Sequence, residues 1–197
     1  MRPPSFHFER ELFAQGHHVI GVDEVGCGCL AGPVIAAAVH LPQNSRIGAI
    51  RDSKLLTAEK REKIVEQFLI QGFKWTIGMA TVQEVDALNV RRASLLAMKR
   101  AVNAYKGATF ALVDAWKIPE IKIPQRGIIH GDRLVKSIAA ASIIAKVVRD
   151  RLMWEFDKEY PDYGLAMHKG YGTERHQSAL KKFGPTPLHR RSFLKNL

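Results

Sequence analysis

"HHVIGVDEVGCGCLAGPVIAAAVHL", residues 17–41, is the stretch from which the fold can be read. Two β-rich runs, HHVIGVD (17–23) and VIAAAVHL (34–41), flank a glycine-rich turn. Branched apolar residues bounded by glycine and proline read as strands. The first run ends in adjacent acids, Asp23 and Glu24, and the turn holds Cys27 and Cys29, the only two cysteines of the chain. Such a turn has three possible roles: a carboxylate metal site, a thiol site, or an ordinary loop.

Downstream, TAEKREKIVEQFLIQG (57–72) reads as a helix, with Thr57 as its cap, Ile64, Val65, Phe68 and Leu69 on one face, and Gly72 as its stop. FKWTIGMAT (73–81) returns to strand. One long helix is expected over about 83–105, with Leu88, Leu95 and Val102 a heptad apart and Met98 and Tyr105 beside them. TFALVDA (109–115) and GIIHGD (127–132) read as strands that end in aspartates. SIAAASIIAKVVRDRL (137–152) reads as a helix whose small residues let it lie close to a sheet. This order predicts a single α/β domain over residues 1–197, helices packed on a central sheet, followed by a polar C-terminal part.

A chain of 197 residues can bury a full core. Its longest apolar runs, such as Ile138–Ala145, fall far short of a membrane span. The start, MRPPSFHFERELF, carries acids and has no apolar stretch ending in a cleavage site, so it does not read as a signal peptide. With only two cysteines, a reducing cytoplasm is expected. Net charge is +11: residues 1–50 carry −1, and each of the segments 51–100, 101–150 and 151–197 carries +4. The excess belongs to the folded body, and a basic globular surface favours a polyanion, most often nucleic acid.

Three expected strands end in acids: Asp23 with Glu24, Asp114, and Asp132. Strand ends that meet at one edge of an α/β sheet are where such proteins place their sites. Carboxylates gathered there resist full ionisation, and hard divalent cations relieve the repulsion. A pair of ions roughly 3.5–4 Å apart activates water and stabilises the leaving oxygen of a phosphodiester. Any one of these acids alone would be read as a turn or helix cap; together they point to metal-dependent nucleic-acid hydrolysis. The cysteines carry less. No second Cys/His pair with zinc spacing is present, and His17 and His18 point to opposite faces of their strand.

The motifs GVDEVG, GPVIAAAV, DSKLL, NVRRASLLAMKRAV, LVDAWKIP, GDRLVKSIAAASIIAKVVRDR and YGLAMHKGYGTERHQSAL…FGPTPLHRRSF resemble bacterial ribonuclease HII, from about residue 19 to residue 193. The resemblance implies a ribonuclease H-like fold, a mixed central sheet flanked by helices, with a C-terminal part of about 153–197 completing the substrate cleft. It implies hydrolysis of the RNA strand of RNA–DNA hybrids. It also implies cutting 5′ of ribonucleotides embedded in duplex DNA, leaving 3′-hydroxyl and 5′-phosphate ends, in ribonucleotide repair and primer removal. Asp23, Glu24, Asp114 and Asp132 carry over as the acids that hold two Mg²⁺ or Mn²⁺ ions. Tyr171 matches the tyrosine that stacks on the deoxyribose beside the ribonucleotide, and Lys54 and Lys169 match positions near the substrate backbone. Gly26, Cys27 and Gly28 occupy the turn that reads the junction.

The chain departs from the family at that turn. Gly26-Cys27-Gly28-Cys29 stands where the family has Gly-Arg-Gly-Pro, so a forked cationic donor and a stiffening proline are both missing. Leu55 and His130 replace lysines that are frequent at those places. The expectation is intact metal chemistry with weakened junction recognition. Arg190 and Arg191 could hold phosphate, or be solvated or paired with an acid. His168, His176 and His189 read as ordinary polar contacts. Competing readings are an RNA–DNA hybrid-binding protein with impaired catalysis and a related nuclease acting on DNA branches. Nothing demands more than a monomer, and the tail SFLKNL holds no persuasive sliding-clamp peptide.

Overall fold

The computed structural model describes residues 3–43, 45, 47, 50, 53 and 56–194. The glycine-rich turn joins β1 (Val19–Val25) to β2 (Val34–Val39), an antiparallel pair in which Asp23 faces Ala37 and Glu24 faces Ala36. β3 (Trp75–Ala80) extends this pair antiparallel to β2. On the other side, β4 (Phe110–Asp114) lies parallel to β1, and β5 (Gln125–Ile128) parallel to β4. The sheet order is β3-β2-β1-β4-β5, so the strand bearing Asp23 is central.

Every residue of β2 is buried because helices cover both faces of the sheet. The two-residue period of a strand sends Ile35, Ala37 and Val39 to one face and Val34, Ala36 and Ala38 to the other. The first face packs against α2 (Ala58–Ile70) and α6 (Lys136–Glu159), the second against α4 (Val90–Ala104). Alanines at 139–141 and 145 form the sheet-facing part of α6. Gly21 completes this close approach: a Cβ there would lie 2.2 Å from the Ser137 carbonyl carbon. The small residues of SIAAASIIAK thus let α6 run directly across β1.

Several elements differ from the sequence reading. The single helix expected over 83–105 is two, α3 (Val82–Leu88) and α4, separated by Asn89 with φ at +69°. Its Oδ1 accepts the Arg92 N–H and caps the second helix, while a Thr81–Glu84 capping box starts the first. The heptad spacing continues across the break and hides it. The helix expected to end near 152 runs to Glu159. α1 (His7–Ala14) was not foreseen; its buried Glu9 reaches across to accept the Ser137 N–H at the start of α6. After α6 come two shorter helices, α7 (Leu165–His168) and α8 (Glu174–Phe183). Among the described residues no helix is long and apolar enough to cross a membrane.

Candidate active site

Asp23 and Glu24 sit at the end of β1, and Asp114 is the last residue of the parallel neighbour β4. Asp132 corrects the sequence reading: it does not end a strand. β5 stops at Ile128, His130 takes a left-handed conformation, and Asp132 lies in the single turn α5 (Gly131–Leu134). The chain folds back there because the Asp114 carboxylate accepts the Gly131 N–H at 2.7 Å, tying α5 to the end of β4. Asp132, buried, therefore follows directly on a backbone contact with the Asp114 carboxylate.

The carboxylates feel one another. Burial, then the Glu24 and Asp114 charges, push the Asp23 carboxyl well above the usual carboxylate range. Burial also raises Glu24, and Asp114 adds to it, while a hydrogen bond from Cys27 opposes the shift. A relay supports Asp23 from behind: Ser53 and Ser142 hydroxyls are 2.9 Å apart, and Ser142 bonds to the Asp23 carboxylate. Ser53 belongs to the DSK motif; its neighbours Lys54 and Leu55 lie outside the described residues.

The donor set suits a hard divalent ion: oxygen ligands of like charge, Asp23 and Asp132 buried and Glu24 and Asp114 half-buried, with the Asp23 carboxyl held against ionisation. Among the described residues, no three acidic, histidine or cysteine side chains close on a common point.

The turn at 26–33 is neither a thiol centre nor a zinc site. Cys27 is half-buried, and its thiol donates to Glu24 Oε1 at 3.5 Å. Burial and the Glu24 carboxylate push that thiol up to about 12, so it stays protonated. Cys29 is fully buried and also raised, and both cysteines are free. Cys27 thus points toward the acids, where Ser94 of α4 bonds to both it and Glu24.

Two buried arginines, whose roles the sequence did not show, hold this turn. Arg149 of α6 donates to the carbonyls of Pro33 (3.1 Å), Ala31 (3.0 Å) and Lys169 (2.8 Å). Arg190 donates to the Cys27 carbonyl (3.1 Å) and twice to Gly32 (3.0 and 2.7 Å). Both are fully buried, and Arg190, for which the sequence allowed phosphate, solvent or an acid as partner, spends its donors on backbone carbonyls instead. Burial lowers its pKa to about 10, which leaves it charged at neutral pH. A signal for Arg149 was present: it stands four residues after Ala145 and four before Met153, both fully buried on α6. Arg191 and Ser192 offer their backbone N–H groups to Asp86 of α3.

The glycines of the turn differ. Gly26 has φ at +98°, and a Cβ there would lie 2.4 Å from Arg149 Nε. Gly28 is exposed, and a Cβ would meet nothing within 4 Å.

Tyr171 is brought to the turn by backbone pairing. Cys29 bridges Tyr171, and the Leu30 N–H donates to the Gly170 carbonyl at 2.8 Å. Tyr171 keeps 38% of its surface exposed, and burial of its hydroxyl together with a bond to Cys29 pushes that group up to about 12. Lys169 is half-buried in a left-handed conformation, with its ammonium turned back onto the Ala166 carbonyl.

The histidines form a cluster with fixed tautomers. His189 Nδ1 accepts the Thr186 N–H at 3.0 Å, so its Nε2 carries the proton and donates to His176 Nε2 at 3.0 Å. His176 then donates from Nδ1 to the Tyr171 carbonyl at 2.9 Å. His168 stacks on His176 with ring centroids 4.3 Å apart. Burial lowers the pKa of all three, that of His189 to about 4. They are polar contacts, as expected, and they fix the backbone under Tyr171.

Comparison with known proteins gives a consistent result. A family model described as ribonuclease HII matches residues 20–196. A ribonuclease HII of Desulfitobacterium hafniense (strain DSM 10664 / DCB-2) is 51% identical over 187 residues, covering 94% of this chain and 72% of the relative. A ribonuclease HII of Alkaliphilus metalliredigens (strain QYMF) is 47% identical over 197 residues, covering 96% of each. Among solved structures, the PCNA:RNase HII complex from Archaeoglobus fulgidus superposes with a TM-score of 0.74 at 23% identity, covering 88% of this chain and 94% of that one. The Bst ribonuclease HIII in complex with Mn²⁺ gives 0.71 at 22% identity, covering 89% and 67%.

Proposed function

We infer the workings of this site from one premise: the chain belongs to the ribonuclease HII family. It is an endoribonuclease acting on RNA–DNA hybrids, and activity in this family depends on a divalent metal ion. Beyond that, we propose that it cuts on the 5′ side of ribonucleotides embedded in duplex DNA, leaving 3′-hydroxyl and 5′-phosphate ends. The observation that carries this reading is the set of mutually repelling carboxylates, Asp23, Glu24 and Asp114, at adjoining ends of two parallel strands.

In this reading Asp23, Glu24, Asp114 and Asp132 hold two Mg²⁺ or Mn²⁺ ions. Such ions, when bound, supply the Lewis acidity that activates water and stabilises the leaving oxygen. The chain's own residues do the remaining work. Ser53 and Ser142 keep Asp23 oriented, the Gly131 N–H does the same for Asp114, and Ser94 steadies Glu24. Arg149 and Arg190 hold the turn so that Gly28, open on its outer side, lets the backbone approach a ribose 2′-hydroxyl. Tyr171, partly exposed, offers its ring to the neighbouring deoxyribose. In the same reading Lys54 and Lys169 serve as contacts to the phosphate backbone, and residues from about 153 onward complete the cleft of a single domain. Cys27 supplies no charge there, so junction recognition is weaker than an arginine would give.

The test uses duplexes that are all DNA, that contain one ribonucleotide, or that are continuous hybrids, each with Mg²⁺, Mn²⁺ or EDTA. The expected result is metal-dependent cutting confined to the ribonucleotide-containing strand. Cutting of the all-DNA duplex would assign the site to another nuclease class, and binding without cutting would make the chain a hybrid-binding protein.

A further inference from the structure

Beside the carboxylates stands an aromatic–cation pair that the chemistry above does not use. Trp116 lies two residues beyond Asp114 and is 50% exposed. Its position is set by the backbone: the Trp116 N–H donates to the Asp114 carbonyl at 2.6 Å, and Ala115 before it has φ at +56°. The Arg91 guanidinium lies over the indole, 4.0 Å from the ring centroid. Arg91 is exposed on the first turn of α4 and makes no ion pair among the described residues.

Both members are tied to the site. Arg91 precedes Ser94 by three residues, hence on the same helix face, and Ser94 bonds to Glu24 and Cys27. Trp116 is joined through one residue to Asp114. The pair therefore joins the start of α4, whose Ser94 reaches Glu24, to the residue two past Asp114. An exposed indole with a stacked, unpaired guanidinium presents an apolar ring edge for a sugar and a forked donor for a phosphate. The turn itself, residues 26–33, has no cationic side chain, while the chain as a whole carries +11.

We propose that Arg91 and Trp116 form a second nucleic-acid contact, gripping the sugar–phosphate backbone of the duplex where it crosses the rim of the carboxylate site. The occupant is backbone rather than base, because bases in a duplex are stacked and their faces covered. The contact positions the strand without reading sequence. This inference rests on the nuclease reading above and adds a binding element to it.

The test measures affinity without turnover. A short labelled DNA duplex containing one ribonucleotide is titrated in EDTA with the full chain and with Trp116→Ala, Trp116→Phe, Arg91→Ala and Arg91→Lys, at salt from about 50 to 200 mM. Trp116→Ala should weaken binding about five- to tenfold, and Trp116→Phe should stay within about twofold of the parent, because phenylalanine keeps an apolar ring to set against the sugar. Arg91→Ala should weaken binding about threefold or more and lower the salt slope by about one, with Arg91→Lys restoring the slope. In Mg²⁺, saturating kcat should be unchanged in all four while KM follows the affinity. Unaltered affinity and salt slope in both alanine variants, with the parent binding and cutting normally, overturns this proposal alone. A parent that fails to cut any ribonucleotide-containing strand overturns the nuclease reading and this proposal with it.

Discussion

Replacing each glycine of the turn by alanine should separate holding the turn from reading the substrate. At Gly26 the backbone has φ of +98°, which costs a side-chain-bearing residue about 1–2 kcal/mol. The new Cβ would lie 2.4 Å from Arg149 Nε and 3.0 Å from the Pro33 carbonyl oxygen. Arg149 must then surrender at least its Pro33 bond, a charged hydrogen bond of roughly 1.5–3 kcal/mol. Gly26→Ala should therefore lose about 3–5 kcal/mol, which for a chain of this size lowers Tm by roughly 10 °C. Gly28→Ala meets open space and needs no unusual backbone, so its Tm should move by less than about 1 °C. If Gly28 is where the backbone meets the ribose, that silent substitution should still raise KM for an embedded-ribonucleotide duplex about tenfold. The assay is differential scanning calorimetry beside steady-state cleavage. A stable Gly26→Ala, or a Gly28→Ala variant with parental KM, would refute the division of labour.

Arg190→Met should cost about 3 kcal/mol in urea unfolding, because the Cys27 and Gly32 carbonyls lose their buried donor, whereas Arg191→Ala, which leaves its backbone bond to Asp86 in place, should stay within about 0.5 kcal/mol. Acid should loosen the histidine cluster. His189 is held near pKa 4 against about 6.5 when unfolded, so the unfolded state takes up the proton first as pH falls. Stability is full above pH of about 6.5 and declines between about 6.5 and 4; by pH 5 about 2 kcal/mol should be gone, and His189→Gln should flatten that slope in urea titrations. Cys27→Arg should tighten binding of an embedded-ribonucleotide duplex by the roughly 1.5–3 kcal/mol of a charged hydrogen bond and raise preference over a continuous hybrid. Unchanged affinity and preference would show that position 27 does not read the junction.

Much of the sheet was legible because strands leave a local mark. VIGVDEV and VIAAAV are short, branched and bounded by glycine and proline, and the acids that end β1 and β4 follow apolar runs with no partner nearby. The elements that escaped notice are set by long-range contacts. Asn89 breaks a helix whose apolar spacing continues through it, since a 3.6-residue period does not register one left-handed cap. Asp132 follows a strand by four residues, and its place is set by a one-turn helix tied to Asp114. Arg149 and Arg190 answer to carbonyls rather than acids, so no opposite charge in the sequence announces them. The same holds for Glu9, whose partner is a backbone N–H at position 137.

The central claim is that acids from β1, β4 and α5 form one metal-dependent centre for cutting the ribonucleotide-containing strand. Its most direct test is single-turnover cleavage of a duplex with one embedded ribonucleotide by the parent and by Asp114→Asn, with substrate affinity measured in parallel. The substitution removes one negative charge and keeps the Oδ1 acceptor for the Gly131 N–H. The account predicts a rate at least about a thousandfold lower in Mg²⁺ or Mn²⁺, with duplex affinity unchanged within about threefold. An Asp114→Asn chain that cuts within about tenfold of the parent rate would contradict it.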